Sequence, residues 1–418
     1  MTPATISIER AAQMLRPPQE GLPYLRHDNA AQLRTDPGGL TIGHASITAL
    51  EPSAAAAITI DASGCAVLPG LVDCHTHLPF AGWREHEYAQ KVAGEGYEQI
   101  ARAGGGIRSS ARSFAAAGDE QVLEQAREAA AEMLVHGTTT FECKTGYGLS
   151  VDAEIRAAGL IAALGAQVKQ TVTGTALLAH AVPDGYGADA WMAAVAQALP
   201  AVLDAGRAAP ITALDIYVES VAFTNAHLAQ MGELANANGL ALRAHVEQFN
   251  ANGSVPVAIA AGARSVDHLA CIGSEEIPLL ASAETAAVLL PGAAFLGNEH
   301  LEPARELADA GAICALGTDF NPGTSPINSL PLVIGLAVRR YGWTVQEALL
   351  ACTLNAAWVM QLERELGSLE PGKRADVLVL DGPLERIPYR FGHNPVQIVI
   401  AGGELAYVRP GSEWRVLR

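Results

Sequence analysis

The stretch LPGLVDCHTHLPFAG, residues 68–82, ends a short apolar run in two histidines separated by one residue. If Leu71 to His75 forms a buried strand, its side chains alternate sides, so His75 and His77 point the same way from its carboxyl end. Two imidazoles that converge at a strand end are the start of a metal site, but two ligands do not complete one. The competing interpretation is that both are polar residues of a turn. The rest of the chain must therefore supply the other ligands.

Outward from this stretch, short β-rich runs alternate with longer alanine-rich helical patterns up to about residue 320. One helical pattern, NAHLAQMGELANANG at 225–239, closes with the glycine that commonly follows a helix. Such alternation predicts an α/β fold with a parallel sheet, and eight strand candidates over roughly 250 residues predict a (β/α)8 TIM-like barrel. An open doubly wound sheet is the competing fold, but no glycine-rich dinucleotide fingerprint follows the first strand. The candidates are GLVDCH (70–75), TTTFECK (138–144), QVKQTVTG (167–174), ALDIYVES (213–220), LALRAHVE (240–247), ARSVDHL (263–269), AAVLLP (286–291) and AICALGTD (312–319).

The two ends of the chain have a different pattern. Stretches such as TIGHASITALEP (41–52), LEPGKRADVLVLDGPLE (369–385) and QIVIAGGELAYVRPG (397–411) predict short strands joined by glycine and proline turns. Each end is too short to form a robust β domain alone. We therefore expect residues 1–66 and 362–418 to combine into one small β-sandwich domain, beside a barrel domain at 67–361.

The composition excludes several classes of protein. Of the 418 residues, 50% are hydrophobic and 17% are charged, which is typical of a globular chain with a large core. The 44 acidic residues outweigh the 27 basic ones, and the formal net charge is −17. That balance argues against nonspecific binding to nucleic acid or to an acidic membrane, and no basic run contradicts it. We expect neither as a partner.

The first residues and the cysteines indicate the compartment. The opening stretch MTPATISIERAAQML lacks the apolar core of a signal peptide, and no apolar segment approaches the ~20 residues that span a bilayer. Without a secretory signal, six scattered cysteines with no CxxC pair are expected to be reduced core thiols. These observations favour a cytoplasmic protein. The cysteines are Cys65, Cys74, Cys143, Cys271, Cys314 and Cys352.

Five chemically capable side chains fall at or just past the carboxyl ends of predicted strands, where barrel enzymes carry their catalytic groups. His75 and His77 follow the first strand, His245 lies at the end of the fifth, His268 at the end of the sixth and Asp319 at the end of the eighth. Imidazole and carboxylate are suitable ligands for zinc or ferrous iron. Any one of these histidines alone is better explained as a satisfied core residue. The strand-end placement of all five favours a metal site.

This arrangement resembles the amidohydrolase superfamily, and LEPGKRADVLVLD (369–381) resembles its C-terminal signature. Within the superfamily, the chain is similar to the imidazolonepropionase family, on motifs that are not general to the superfamily. Members of that family open the ring of 4-imidazolone-5-propanoate to N-formimino-L-glutamate in histidine degradation. The motifs are PGLVDCHTHLPFAG (69–82), YEQIARAGGGI (97–107), KTGYGL (144–149), LLAHAVP (177–183), AVLLPGAAFLG (287–297) and TDFNPGTSP (318–326).

The resemblance implies a metal-dependent hydrolase with one zinc or iron(II/III) ion per chain. The implied ligands are His75, His77, His245 and Asp319. Metal-bound hydroxide would attack the ring carbonyl, Asp319 would move the water proton to the leaving nitrogen, and His268 would polarise the carbonyl without holding the ion. The fourth strand, ALDIYVES, offers no lysine that could bridge two ions. Lys144 at the end of the second strand leaves a second metal open.

The resemblance also implies the substrate contacts. Gln248, counted among the catalytic residues, resembles the position that contacts the imidazolone ring, and its amide can donate and accept at once. Arg84 offers a bidentate fork for the propionate carboxylate, although a solvated loop charge is the usual role of such an arginine. The expected partner is therefore a small carboxylated heterocycle, and a homodimer is compatible with the sequence. The remaining implied substrate contacts are Tyr97, Tyr147, His180, Asn321, Gly323 and Thr324.

Two alternatives stay open at this point. The runs AQKVAGEGYEQ (89–99) and IRSSARSF (107–114) depart from the family pattern near the expected mouth of the barrel. The first alternative is therefore a related amidohydrolase that acts on a substituted imidazolone or hydantoin propionate, or that deaminates a nitrogen heterocycle. A metal-free scaffold protein is the alternative of another class, but such proteins should have lost ligands. The run AGGGI (103–107) lacks the spacing and lysine of a phosphate-binding loop and is better explained as a mobile loop over the site.

Overall fold

A computed structural model describes residues 5–96, 99–100, 103–297 and 300–417 of the chain. The strands are β1 (Ile6–Ala11), β2 (Gln13–Met14), β3 (Gly38–Gly43), β4 (Ser46–Ala49), β5 (Ile58–Asp61), β6 (Ala66–Pro69), β7 (Leu71–Asp73), β8 (Thr138–Lys144), β9 (Thr171–Ala179), β10 (Ile211–Val218), β11 (Ala241–Val246), β12 (Ser265–His268), β13 (Ala286–Leu289), β14 (Ile313–Leu316), β15 (Val377–Leu380), β16 (Val396–Ala401), β17 (Glu404–Val408) and β18 (Val416–Leu417). The α-helices are α1 (Glu85–Val92), α2 (Ile107–Ala116), α3 (Asp119–Val135), α4 (Val151–Gly165), α5 (Ala188–Ala205), α6 (Asn225–Ala237), α7 (Ser254–Ala260), α8 (Ile277–Ser282), α9 (Pro291–Gly297), α10 (Ala304–Asp309), α11 (Leu330–Leu336), α12 (Val345–Ala351), α13 (Leu354–Val359) and α14 (Arg386–Tyr389).

Eight parallel strands, β7 to β14, form one sheet in chain order, with helices in the connections between them. The two edges of this sheet meet just past the strand ends. There the backbone N–H of Asp319 donates to the carbonyl of His75 at 3.0 Å, and that of His77 donates to the carbonyl of Phe320 at 2.9 Å. The predicted (β/α)8 barrel is confirmed, and its closing contacts involve the same residues that the sequence placed at the site.

Each of the eight predicted strands corresponds to a strand of the barrel, and TTTFECK coincides with β8. The third strand differs most from its prediction, because it begins at Thr171 and continues to Ala179. The amides of Gln167 and Val168 still donate to the carbonyl of Leu164 at the end of α4, so these residues belong to the helix exit.

Charged side chains occupy the interior of the barrel, and apolar ones face the helices. The register of β10 and β11 sets Asp215 opposite Arg243, and that of β11 and β12 sets His245 opposite Asp267. Phe141, at an intervening position of β8, packs instead into an apolar cluster with helical residues. Because side chains alternate along a strand, β8, β10, β11 and β12 each carry both patterns at once.

Two five-stranded sheets pack beside the barrel, one in the order β18-β5-β1-β3-β4 and the other in the order β17-β16-β15-β6-β2. Buried residues of both sheets, such as Ile8, Leu40, Val67 and Val377, share one apolar core. The predicted small β-sandwich built from both ends of the chain is therefore present. The exact domain boundaries stay a prediction.

A tight link joins the sandwich to the barrel directly before the histidine pair. Strand β6 belongs to the sandwich, β7 to the barrel, and Gly70 alone separates them. A Cβ at Gly70 would lie 2.0 Å from Oγ1 of Thr139, so only glycine allows this approach to β8. The position of His75, six residues past the end of β6, thus depends on both parts of the molecule. Among the described residues, no helix has the length and apolar character needed to cross a membrane.

Candidate active site

Three imidazoles converge at the carboxyl end of the barrel. The Nε2 atoms of His75 and His77 are 3.3 Å apart, and the rings of His75 and His245 lie 4.6 Å apart between centroids. Nitrogen atoms of all three residues fall within 4.8 Å of one another. An Oδ1 atom of Asp319 approaches Nε2 of His77 at 3.2 Å and Nε2 of His75 at 3.5 Å. The side chains that the sequence proposed as ligands are therefore in one place.

His268 lies on the same cluster. Its ring is 5.3 Å from that of His245 and 5.7 Å from that of His75. Ligand atoms of His75, His268 and Asp319 also fall within 4.8 Å of one another. All five strand-end residues thus meet at one mouth, and each is at most 5% exposed.

Two buried carboxylates fix which ring nitrogens face the cluster. Asp267 lies 2.6 Å from Nδ1 of His75, and Asp215 lies 3.1 Å from Nδ1 of His245. A carboxylate accepts a hydrogen bond from Nδ1–H, so Nε2 of each ring is unprotonated and presents a lone pair to the cluster. Nε2 of His245 is buried and has no hydrogen-bond partner among the described residues. This donor arrangement is the one that a metal ion requires of its histidine ligands.

Burial sets the charge state of these groups. It lowers the pKa of His75 and of His77 well below the ordinary value, and it lowers the pKa of His268 to about 3. Burial also raises the pKa of Asp319. The cluster consequently offers neutral imidazoles and a carboxylate with increased affinity for a proton.

The backbone at this mouth adopts conformations that are unusual for residues with side chains. His268 has a φ of 82°, Asp319 a φ of 52° and Glu247, two residues past His245, a φ of 52°. Such left-handed conformations cost free energy and are concentrated at functional sites. At the ends of β12 and β14 they turn the chain abruptly while His268 and Asp319 stay within the cluster.

A narrow cavity opens next to the cluster, and most predicted substrate contacts line it. Arg84, Tyr147, His180, Gln248, Asn321 and Thr324 face this space together with His77, His245, His268 and Asp319. The ring of His180 stacks on that of His77 with centroids 5.3 Å apart. Tyr97, another predicted contact, lies outside the described residues.

Arg84 is buried at the cavity wall and is not the solvated loop charge that was its alternative. The residue is 5% exposed, and its guanidinium donates to Oγ of Ser110 at 3.2 Å and lies 3.4 Å from a carboxylate oxygen of Glu87. The guanidinium also covers Gly323, where an added Cβ would lie within 2.1 Å of three of its atoms. Gly323 therefore shapes the site through its missing side chain.

The loop after Asp319 is held by one amide side chain. Oδ1 of Asn321 accepts from the backbone N–H groups of Gly323 at 2.9 Å and Thr324 at 2.7 Å, and its Nδ2 donates to Oγ1 of Thr324 at 2.6 Å. The same Nδ2 donates to the carbonyl of Asp319 at 2.6 Å. Asn321 thus organises the loop more than it presents itself to a ligand.

Sequence reasoning missed two cavity residues and most of the buried charges below the cluster. Ile107 and Tyr217 line the cavity, but single apolar or aromatic residues in such elements look like ordinary core. The buried charges carried a usable signal, because Glu142 and Lys144, and likewise Arg243 and His245, sit two residues apart in otherwise apolar strands. That spacing sends both members of each pair into the barrel.

Lys144, considered above as a bridge between two ions, is engaged elsewhere. Its Nζ lies 2.7 Å from Asp215 and 3.0 Å from Glu142, with no exposed surface. Burial and the nearby Arg243 lower its pKa, but Asp215, Glu142 and Asp267 outweigh them, and the net pKa is raised. A carbamate bridge forms from a neutral amine, so this ion-paired ammonium disfavours it.

Comparison with known proteins places this site in a family. A model of the amidohydrolase family matches residues 66–406. The chain belongs to the amidohydrolase family. Its members are generally metal-dependent, and the clustered histidines and Asp319 could hold such an ion.

Individual proteins of the family are similar over most of the chain. An imidazolonepropionase of Rubrobacter xylanophilus is 46% identical over 353 residues, which cover 83% of each chain. An imidazolonepropionase of Chloroflexus aggregans is 38% identical over 97% of this chain and 99% of its own. Among solved structures, an adenosine deaminase of Xanthomonas campestris with bound zinc superposes with a TM-score of 0.68 and 20% identity, covering 98% of this chain and 94% of its own. The last comparison supports the fold alone.

Proposed function

We propose that this chain is an imidazolonepropionase, which hydrolyses the ring of 4-imidazolone-5-propanoate to N-formimino-L-glutamate in histidine degradation. The observation that carries the proposal is the combination, in one cavity, of the histidine and aspartate cluster with the buried guanidinium of Arg84. The cluster suits hydrolysis of a ring amide, and Arg84 suits a substrate with a free carboxylate. Two relatives that carry this name align over 83% and 97% of the chain, which supports the same conclusion.

The proposed cofactor is one zinc or iron ion per chain, held by His75, His77, His245 and Asp319. The orientation of the Nε2 lone pairs by Asp267 and Asp215, and the unpartnered Nε2 of His245, support this choice of ligands. When bound, such an ion lowers the pKa of a coordinated water from 15.7 to about 7 and so makes a nucleophile available at neutral pH.

Asp319 and His268 would handle protons and charge during the reaction. Asp319 can accept the proton of the attacking water and deliver it to the ring nitrogen when the C–N bond breaks, and its raised pKa favours the first transfer. His268, neutral because burial lowers its pKa to about 3, can donate an N–H hydrogen bond to the carbonyl oxygen as negative charge develops there. Water adds across one amide bond, and no other reactant is consumed.

The substrate would be held at both ends. The side-chain amide of Gln248 lines the cavity beside His245 and can pair with a ring that has both N–H and C=O groups. Arg84 would bind the propionate, because its guanidinium is already oriented by Glu87 and Ser110 and loses little freedom on binding. A cytoplasmic location and a homodimer also stay proposals. The remaining proposed contacts are Tyr97, Tyr147, His180 and the loop residues Asn321, Gly323 and Thr324.

The experiment is a turnover assay on freshly generated 4-imidazolone-5-propanoate and on an imidazolone analogue without the carboxylate. Loss of a charge-assisted hydrogen bond costs about 1.5–3 kcal/mol, so Arg84→Met should lower kcat/KM on the propionate by one to two orders of magnitude. Its effect on the analogue, which the wild type should process poorly, should be small. The matched control is Arg340→Met, a substitution of an exposed arginine, which should match the wild type on both compounds.

Two results would contradict the proposal. A wild-type protein that binds metal but does not turn over the propionate would exclude this substrate. An equal loss on both compounds in Arg84→Met would mean that Arg84 does not bind the carboxylate.

A further inference from the structure

Buried charges inside the barrel connect two imidazoles of the cluster. On the first side, Nδ1 of His75 lies 2.6 Å from Asp267, whose carboxylate also accepts from Nη2 of Arg243 at 2.7 Å. The guanidinium of Arg243 then donates to Glu142, and its Nη1 also donates to the carbonyl of Cys74, next to His75, at 2.7 Å. One arm of contacts therefore runs from Glu142 to His75.

A second arm starts from the same glutamate. Nζ of Lys144 lies 3.0 Å from Oε2 of Glu142 and 2.7 Å from Oδ2 of Asp215. The other oxygen of Asp215 lies 3.1 Å from Nδ1 of His245. The two arms have the same order of groups, in which a cation holds a carboxylate and the carboxylate holds an imidazole.

Every residue of this network is at most 2% exposed. Taking five charged groups out of water is costly, and a fold of this size could fill the same volume with apolar side chains. Glu142 is the carboxylate that touches both cations, and neither of its oxygens faces the substrate cavity. The buried charges that carry this desolvation cost are the groups that orient the proposed ligands. The network therefore has a role in the site as well as in the fold.

We propose that Glu142 is a positioning residue for metal binding, because it holds Arg243 and Lys144 and through them the carboxylates that orient His75 and His245. The inference rests on the metal site of the proposed function, but not on the identity of the heterocycle. With Glu142 neutralised, each cation keeps a single carboxylate partner and draws it away from its imidazole. The layer below the site also becomes more positive by one charge, which opposes a bound cation.

The test measures metal affinity on apoprotein of the full chain. Glu142→Gln keeps the size of the side chain, removes its charge and replaces one acceptor oxygen with a donating NH2 group. Zinc dissociation constants are obtained by competition with a chromogenic chelator, and visible absorption of the cobalt(II)-loaded proteins reports ligand geometry. Substitutions that disturb such supporting groups weaken metal binding by about 10–100-fold. We expect a weakening in this range, with shifted cobalt bands.

A buried glutamate outside the network provides the matched control. Glu302 accepts from the backbone N–H of Leu290 at 3.0 Å and from the hydroxyl of Tyr341 at 2.8 Å, without contact to the cluster. Glu302→Gln should lower thermal stability while leaving the zinc constant and the cobalt spectrum unchanged. If Glu142 served the fold alone, both variants would lose thermal stability and neither would change its zinc affinity.

A milder variant covers the case in which Glu142→Gln does not fold. The hydroxyl of Ser265 donates to Asp267 at 2.6 Å and accepts from Arg243 at 3.0 Å, so Ser265→Ala loosens the first arm without changing charge. We expect it to weaken zinc binding less than Glu142→Gln does. Zinc constants within threefold of the wild type in every variant that folds would overturn the inference. The wild type could also fail to hydrolyse the propionate while Glu142→Gln still weakens zinc binding as expected. That result would contradict the proposed substrate and leave the role of Glu142 intact.

Discussion

His268 lies in the same cluster as the four proposed ligands, so it could bind either the substrate carbonyl or the metal ion, and a substitution distinguishes the two roles. If it donates a hydrogen bond to the substrate carbonyl, His268→Ala should lower kcat by about two to three orders of magnitude and leave bound metal unchanged. Elemental analysis alongside single-substrate kinetics measures both quantities. Loss of the metal from a folded His268→Ala protein would make His268 a ligand. His245→Ala is the comparison, because it should lose the metal itself.

His27 is a buried histidine whose pKa lies far below the ordinary value. The sequence offered no reason to distinguish it from surface histidines, yet it is 1% exposed, packs 4.3 Å from the ring of Trp343, and has no hydrogen-bond partner for either ring nitrogen among the described residues. Burial lowers its pKa to about 3, with Glu347 acting to raise it and Arg305 to lower it. The folded state therefore keeps this ring neutral at pH values where the unfolded chain protonates it.

This difference predicts a pH dependence of stability. Because the folded pKa is depressed below the ordinary histidine value of 6.5, the stabilisation is fully present above about pH 6.5 and is lost as pH falls toward 3. The full loss is on the order of 5 kcal/mol. His27→Phe should flatten the fall of thermal midpoint between pH 7 and 4, whereas His300→Phe, at an exposed position, should follow the wild type. Parallel profiles for the wild type and His27→Phe would contradict the assignment.

At the scale of single elements, alternation along strands made much of the site predictable. The histidine pair and the strand ends at His245, His268 and Asp319 follow from the two-residue period of a strand and the rule that barrel sites lie at carboxyl ends. The substrate contacts could be assigned only through family resemblance, because nothing local distinguishes Arg84 from a surface arginine. The predicted start of β9 was four residues too early, because residues 167–170 have a strand-like composition but form the segment that leaves α4.

The turn before β8 shows how an element boundary depends on another part of the chain. Gly137 has a φ of 92°, and a Cβ there would lie 2.7 Å from Leu378 of β15 and 3.1 Å from Val396 of β16. Gly137→Ala should therefore lower the unfolding free energy by the cost of the left-handed backbone and by roughly 1–3 kcal/mol of overpacking. Gly239→Ala, with a φ of 67° and no atom within 4 Å of the added Cβ, isolates the backbone cost. Equal destabilisation of the two variants in chemical denaturation would exclude the packing contribution.

At the scale of the whole molecule, Arg374 joins the sandwich to the barrel. Its guanidinium donates to Thr140 of β8 at 3.2 Å and to Thr171 of β9, while Asp376 holds it from its own side. Thr171 is the first residue of β9, so this contact lies at the opposite end of the strand from the site. The sequence predicted that both chain ends would form one sandwich, since neither could form a core alone. It could not predict this contact, which depends on how the two parts pack.

Arg374→Met should therefore separate stability from chemistry. Loss of the hydrogen bonds to the barrel should cost about 1–3 kcal/mol and lower the thermal midpoint, while metal content and kcat stay as in the wild type. The control is Arg207→Met, because the side chain of Arg207 is 81% exposed and, among the described residues, pairs only with Asp204 in the last turn of α5. Thermal scans and steady-state kinetics of both variants provide the comparison. A drop in kcat without a drop in stability would show that the contact acts on the site.

The pairing of β6 with β15 has a consequence for synthesis on the ribosome. Strand β6 ends at Pro69 and its neighbour β15 begins at Val377, so the whole barrel must be translated before the pair can form. At 5–20 residues per second that interval lasts roughly 15 to 60 s. During this time the early strands have exposed edges that invite aggregation or capture by chaperones. Nascent chains stalled within the barrel should therefore be bound by chaperones or degraded. The yield of full-length protein should depend on translation speed and chaperone supply even when the stability and activity of the purified protein are unchanged.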